Sequence, residues 1–269
     1  MSYRADAGMS EVLLERRGPA AWVTFNRPQA HNAMTFAMYE ALFAHCEEVD
    51  ADDELRVLVL RGAGGKAFVA GTDIAQFRDF DESGADGLAY EATIDRIVGR
   101  LETVRKPTVA LVDGFAMGSG LALSAACDLR VCTPAATFGL PIARTVGNCL
   151  SMENYARLAG LLGPARLKDI VFTARSIGAE EALAIGLATE LVDPGHAEQR
   201  VTELCDQLAA HAPVTLRVTK EALRRLRAAG MPDGDDLVRE AYASDGFRRH
   251  VAAFLAADRR GRSHPGGER

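Results

Sequence analysis

The sequence predicts an α/β layered fold, and three observations carry that prediction. Short apolar runs of buried-strand type, Arg56 to Leu60 and Thr108 to Val112, alternate with segments of helical spacing over the first half. From Leu150 onward helical patterns dominate, interrupted by a strand near Thr189 to Val192. No apolar run is long enough to span a bilayer.

The elements read in order as follows. Val12 to Glu15 and Ala21 to Phe25 are β-prone runs around Gly18-Pro19, the pattern of a hairpin. Asn26-Arg27-Pro28 ends it. Thr35 to Val49 has helical spacing, with Met38, Leu42, Phe43 and Cys46 on one side. Phe68 to Asp73 reads as a loop feeding a short helix at Ile74 to Phe77, and Gly84 to Val104 reads as a long helix. Gly114 to Gly120 is a glycine-rich turn before an apolar helix over Leu121 to Cys127, and Arg130 to Cys132 begins the next strand. After Ala197 the pattern is wholly helical, and the polar tail from Gly261 is expected to be disordered.

The 269 residues suffice for one large core, and the net charge of −6 implies no general attraction to nucleic acid. The five cysteines form no C-x-x-C pair, so reduced, mostly buried thiols are expected. The N-terminus shows no apolar core of a secretory signal, which gives the expectation of a soluble, cytoplasmic protein. No membrane or nucleic-acid partner is expected. The six histidines show no metal-ligand spacing, so no metal is expected.

Two segments hold the chemistry. Lys66-Ala67-Phe68-Val69-Ala70-Gly71-Thr72-Asp73 has a glycine that permits close backbone approach and an aspartate placed to cap the next helix. Asp113-Gly114-Phe115-Ala116-Met117-Gly118-Ser119-Gly120 follows a buried strand and opens a helix, whose first N–H groups attract anionic oxygen. A dinucleotide fingerprint is excluded because Gly118-Ser119-Gly120 is followed by Leu121, Ala122 and Leu123. A nucleophile elbow is excluded because Met117 and Leu121 stand where the glycines around Ser119 belong.

Taken together, A-G-x-D and then D-G-x-A-x-G-x-G resemble the crotonase (enoyl-CoA hydratase/isomerase) family. Further matches come in the same order: Asn26-Arg27-Pro28 with Asn32-Ala33, Cys127-Asp128-Leu129-Arg130, Phe138-Gly139 with Pro141, and Gly178 to Ala182 with Gly186-Leu187. The resemblance covers Val12 to Asp193 well and the C-terminal helices more loosely.

The resemblance implies a crotonase-like ββα spiral over residues 1–196, a C-terminal helical trimerisation region over 197–260, and the tail over 261–269. It implies an acyl-CoA thioester as partner and substrate, with coenzyme A as part of that substrate and no separate cofactor. A homotrimer or dimer of trimers follows from the same likeness, as does a lyase or isomerase role in fatty acid metabolism. The backbone N–H groups of Thr72 and Ser119 fall at the family's two oxyanion-hole positions. Arg27, Gln29, Ala30, Lys66, Ala70, Gly71, Asp73 and Gly118 fall where CoA is approached.

The chain also departs from the family. Hydratases carry two glutamates, and here those positions hold Ala122 and Ile142. The usual P-G-A-G-G-T segment is replaced by Asn148 to Asn154. Ser151 there suits a helix N-cap and Glu153 an acidic first turn, with Glu153 also the speculative acid or base. Three functions stay open: a hydratase/isomerase-type enzyme; other acyl-CoA chemistry, by isomerisation or C–C cleavage, using Glu153, Cys149, Tyr155 or a bound water; and a non-catalytic acyl-CoA-binding protein.

Overall fold

Residues 10–81, 83–230 and 234–262 are described in the computed structural model, the side chains through residue 257. The N-terminal hairpin forms as expected: β1 (Val12–Arg17) pairs antiparallel with β2 (Ala20–Phe25), and Gly18 turns the chain at φ 55°. Helix α1 (Phe36–Ala51) follows, its N-terminus capped by the Thr35 hydroxyl, which accepts from Met38 N.

Three units of the same design come next. β3 (Val57–Gly62) and β4 (Ala67–Val69) lead into a short 3-10 turn at Ile74–Phe77 and then α2 (Ala85–Glu102). β5 (Thr108–Val112) and β6 (Phe115–Met117) lead into α3 (Ser119–Ala126). β7 (Leu129–Cys132) and β8 (Thr137–Gly139) lead into α4 (Ile142–Thr145), α5 (Met152–Leu162) and α6 (Pro164–Phe172). The first strand of each unit joins a sheet of order β1-β2-β3-β5-β7-β10, and the second joins a smaller sheet of order β4-β6-β8-β9. β9 (Ser176–Gly178), α7 (Ala179–Ala184) and β10 (Glu190–Leu191) complete the two sheets. Apart from β1–β2 and β8–β9, all pairings are parallel.

Helices α8 (Ala197–Ala210), α9 (Pro213–Ala228), α10 (Asp235–Tyr242) and α11 (Asp245–Arg262) end the described chain. The expected tail begins inside α11, which runs through Gly261 to Arg262; residues 263–269 lie outside the described residues.

The central strands β2, β3 and β5 of the large sheet are buried on both faces, which is why they read as continuous apolar runs. Phe25, Leu58 and Leu60 face the main core. Trp22, Val57, Val59 and Val109 face the other side, where Val201, Leu204 and Cys205 of α8 cover them. The second sheet escaped the sequence reading. β4 lies where a loop was expected, β6 lies inside the expected glycine turn, and α3 starts at Ser119 rather than Leu121. Three-residue strands flanked by glycine carry too few side chains to show a period of two.

Several motif residues are explained by this architecture. Asn32 is fully buried; its Oδ1 accepts from Arg27 N at 2.9 Å and its Nδ2 donates to Ala63 O and Ala67 O at 3.0 and 2.7 Å. It therefore ties the exit of β2 to the β3–β4 turn. Arg130 is 5% exposed and donates to Ser124 O, Cys127 O and Leu187 O. It thereby satisfies carbonyls at the C-terminal end of α3. Four cysteines are buried, Cys149 is half-buried, and all are free thiols. Among the described residues, no helix is long and apolar enough to cross a membrane.

Candidate active site

The site is built where β4 and β6 end side by side. β4 pairs parallel with β6, so the segments after them, Ala70–Asp73 and Gly118–Gly120, leave the sheet in the same direction. Glycine sets how closely they approach. A Cβ on Gly118 would lie 3.6 Å from Gly71 Cα, and a Cβ on Gly120 would lie 2.0 Å from Val69 O. Gly71 and Gly118 also hold positive φ, 117° and 54°. Glycine is required at Gly120 by this contact and at Gly71 and Gly118 by their positive φ, since a Cβ on Gly118 would make only ordinary van der Waals contact.

The backbone bonds of the first segment alternate, as in any extended strand. Ala70 N donates to His31 O at 3.1 Å, Met34 N to Gly71 O at 2.8 Å, and Asp73 N to Met34 O at 2.9 Å. Thr72 N–H lies between these bonds and points to the other side, with no backbone acceptor among the described residues. In the second segment Gly118 N donates to Gly139 O, and the first bond of α3 runs from Ala122 N to Gly118 O. Ser119 N–H, in the first turn, is left without a helical acceptor. The two N–H groups that sequence reasoning singled out are thus both unspent. Such donors can hold an oxygen on which negative charge develops.

The side chains of these two residues lie among hydroxyls that sequence reasoning missed. Thr72 Oγ1 lies 2.7 Å from Tyr39 OH of α1 and 2.7 Å from Tyr90 OH of α2. Both tyrosines are buried, which pushes the Tyr39 hydroxyl up to about 12 and that of Tyr90 well above its ordinary value. Ser119 Oγ is buried and near enough to the Tyr39 hydroxyl to lower its pKa, though it is in full hydrogen-bonding geometry with no atom among the described residues. The positions read as replaced carboxylates are apolar and inside: Ala122 is 3% exposed on α3, and Ile142 is 8% exposed at the start of α4.

The residues expected near CoA fall into two groups. Gln29 and Lys66 are exposed and Ala30 is half-buried. Arg27 is already engaged: it donates to Asp73 Oδ2 at 2.8 Å and to Ala33 O at 3.1 Å, and lies 3.3 Å from Glu11 Oε1. Asp73 caps the next turn by accepting from Ala75 N, as its place in the sequence suggested.

A second polar assembly lies at the junction of α2, α5 and α10. Glu91 is 4% exposed and has no cationic partner among the described residues. Its Oε1 accepts from Tyr242 OH at 2.7 Å and its Oε2 from Ser151 N at 2.9 Å. Burial outweighs these bonds and raises its pKa to about 7. Asp95 Oδ1, one turn along α2, accepts from Ser151 Oγ at 2.6 Å and Asn154 Nδ2 at 3.1 Å. The two carboxylates clamp the start of α5, where Ser151 is the N-cap, as read from the sequence. Glu153 lies in the first turn of α5, and its carboxylate accepts from Arg227 Nη1 at 2.8 Å. Sequence reasoning missed Glu91. The available signal was a charge standing in the apolar stripe of α2, three residues before Ile94 and seven before Val98.

A family profile described as Enoyl-CoA hydratase/isomerase matches residues 15–235. The chain belongs to the enoyl-CoA hydratase/isomerase family. It is 34% identical over 217 residues to a short-chain-enoyl-CoA hydratase of Clostridium acetobutylicum, covering 81% of this chain and 82% of that one. An enoyl-CoA hydratase/carnitine racemase structure from Magnetospirillum magneticum superposes with TM-score 0.78 at 29% identity, covering 93% and 94% of the two chains. Methylmalonyl-CoA decarboxylase complexed with 2S-carboxypropyl-CoA superposes with TM-score 0.83 at 25% identity, covering 96% and 97%. The crotonase-like spiral that the motifs implied is therefore the fold.

Proposed function

We propose that this enoyl-CoA hydratase/isomerase family chain holds the carbonyl oxygen of an acyl-CoA thioester between Thr72 N–H and Ser119 N–H and stabilises its enolate. The observation that supports this most directly is the pair of unspent amides at the ends of adjacent parallel strands. Preorganised donors of this kind contribute roughly 3–4 kcal/mol each to lowering a barrier. Lys66 and Gln29, both exposed, remain free to approach the nucleotide end, whereas Arg27 does so only by sharing its bond with Asp73. The same reading makes it a cytoplasmic enzyme of fatty-acid-type CoA esters. It also makes the protein a homotrimer or dimer of trimers, with the exposed Val214, Val218, Leu223 and Leu226 of α9 available to a second copy.

Hydration of a double bond needs a base for water and an acid for the α-carbon. Ala122 and Ile142 supply neither at any pH. General acid–base catalysis is worth about 10²–10⁴-fold, so crotonyl-CoA hydration should be slower than that of an ordinary hydratase by a factor in that range. The test is calorimetry with a panel of acyl-CoA esters, with turnover of each measured in parallel. Binding together with slow hydration that rises in Ala122→Glu/Ile142→Glu supports the reading. Fast hydration by the wild type removes the part about the missing carboxylates. Binding without any turnover points to a carrier rather than an enzyme, and no binding removes the reading altogether.

A further inference from the structure

The assembly around Glu91 can hold its hydrogen bonds in two arrangements. Tyr242 OH lies 2.7 Å from Glu91 Oε1 and 3.0 Å from Asn148 Nδ2, and its single hydrogen serves one neighbour at a time. With Glu91 ionised, Tyr242 donates to the carboxylate and accepts from Asn148 Nδ2. Asn148 Oδ1 is then buried with no partner among the described residues. With Glu91 protonated, the hydrogen belongs on Oε1, because Oε2 already faces the N–H of Ser151. Two hydrogens do not fit between Oε1 and the Tyr242 oxygen. Tyr242 therefore turns its own hydrogen towards Asn148, and the amide turns over to accept it. Asn148 then presents Nδ2, a donor, where it had presented Oδ1, an acceptor.

This relay borders the proposed acyl site on two sides. Asn148 follows directly on α4, where Gly147 N donates to Ile142 O at 2.7 Å, and Ile142 holds one of the two replaced carboxylate positions. Tyr90 precedes Glu91 on α2, and its hydroxyl lies 2.7 Å from Thr72 Oγ1, beside one of the two donor amides. The rings of Tyr90 and Tyr242 lie 6.1 Å apart, centroid to centroid. The groups facing Glu91 are Tyr90 and Asp95 of α2, Tyr39 of α1, Cys149 before α5, Tyr155 in α5 and Tyr242 of α10, with Arg157 and Arg227 beyond Asp95. Burial raises the tyrosines and the thiol, which stay neutral, whereas Glu91 exchanges its proton at about 7. An ester such as crotonyl-CoA carries oxygen and sulfur at its reacting end but no N–H or O–H, so only the donor face of the Asn148 amide has anything to meet there. Apolar surface closing on the junction also adds to the burial that disfavours the Glu91 charge. Both effects act in the same direction.

We infer that Glu91 is a positioning residue of the acyl site, acting through Tyr242 and Asn148, and that the site takes an acyl-CoA ester with Glu91 protonated, so that binding draws a proton into the protein. The inference rests on the proposed acyl-CoA site and adds a proton to what it binds. Affinity then falls as pH rises, because the ionised state must first recover the proton.

The test is calorimetry of crotonyl-CoA binding to the full-length protein from about pH 6 to about pH 8, each pH in two buffers of different ionisation enthalpy so that protons taken up are counted. The phosphates of CoA titrate as well, so slope and proton count are read as the excess over free CoA. A roughly tenfold preference for the protonated state gives about a fivefold fall in affinity across that range, with net proton uptake near neutral pH. Glu91→Gln keeps an acceptor for Ser151 N and donates permanently to Tyr242. It should lose the excess slope and, at the upper pH, bind about fivefold tighter than the wild type. A merely structural Glu91 gives weaker binding in this variant at every pH, which overturns the inference. His250 of α11, whose ring lies near Gly147, is the rival source of a slope. His250→Gln should leave the slope standing, and its loss there overturns the inference. Should Glu91→Gln fail to fold, the wild-type proton count decides: no uptake overturns the inference while leaving CoA binding intact. No binding at any pH overturns the inference and the proposed function together.

Discussion

Two neighbouring regions around the site are made by opposite means. At the ends of β4 and β6 the backbone does the work: glycines permit close approach, and main-chain amides are the functional groups. At the junction of α2, α5 and α10 the side chains do it, with Glu91 and Asp95 holding the start of α5 and Tyr242 closing over Glu91. The first region tolerates any side chain but proline's at Thr72 or Ser119 as far as its amides go, but no Cβ at Gly120. The second depends on a few atoms contributed from places 60 and 151 residues apart in sequence.

The sharpest break of the first region is Gly120→Ala. The new Cβ would sit 2.0 Å from Val69 O, a backbone atom that moves only if β4 moves. A cost of at least about 3 kcal/mol is expected, at the upper end of overpacking penalties. It should appear as a lower urea midpoint with unchanged slope. Gly160 in α5 is the control: nothing lies within 4 Å of its Cβ position, and its φ is not positive. Gly160→Ala should be neutral or stabilise by up to about 1 kcal/mol. Equal stability of the two variants would show that the contact between β4 and α3 is loose.

The same contrast explains what was legible in the sequence. The backbone-built region announces itself because glycine is required at fixed offsets, so Gly71, Gly118 and Gly120 stand out in one dimension. The local caps were legible for the same reason: Asp73 and Ser151 act within two or three residues of themselves. The strands β3 and β5 were readable from burial on both faces, whereas β4, β6, β8 and β9 were hidden by their length. Tyr39, Tyr90, Glu91 and Tyr242 were not found, because each matters only through a partner on another element. A lone tyrosine at helical spacing reads as core, and Tyr39 is indeed fully buried.

The second region is tested through pH. Glu91 is raised from 4.5 to about 7 in the folded protein, first by burial and then by the nearby Asp95, against the bonds from Tyr242 and Ser151. Between those two values the folded state binds more protons than the unfolded chain. Stability therefore falls as pH rises through that window and levels off above it. At about 1.4 kcal/mol for each pH unit between the two values, the fall attributable to Glu91 is on the order of 3 kcal/mol. Glu91→Gln keeps an acceptor for Ser151 N and removes the charge, so its melting temperature should be flatter from pH 5 to about 7.5 than that of the wild type. Parallel curves for the two proteins would mean that Glu91 is ionised at no cost, with water reaching the junction.

The smallest effect is expected where the two regions come nearest to being confused. Glu153 is the one carboxylate of the altered Asn148 to Asn154 segment, and its place at the start of α5 made it a candidate acid or base. Its carboxylate accepts from Arg227 Nη1 at 2.8 Å, and Arg157 Nη2 lies 4.0 Å away. Arg227 also reaches Glu102, so Glu153 is one corner of a four-residue ion cluster on the flank of α5. Its side chain is 41% exposed. A carboxylate so placed interacts favourably with the helix N-terminus and with the two nearby guanidinium groups. An exposed pair of this kind is worth less than about 1 kcal/mol, and the cluster shares the loss among its remaining members. Glu153→Ala should therefore lower stability by less than about 1 kcal/mol and change the turnover of any accepted ester by less than about twofold. A general acid or base behaves differently: its removal lowers turnover by about 10²–10⁴-fold with little change in KM. If Glu153→Ala shows that drop while its urea midpoint stays put, the side chain must leave Arg227 when substrate binds, and the division between a backbone-built site and a side-chain clamp gives way at this residue.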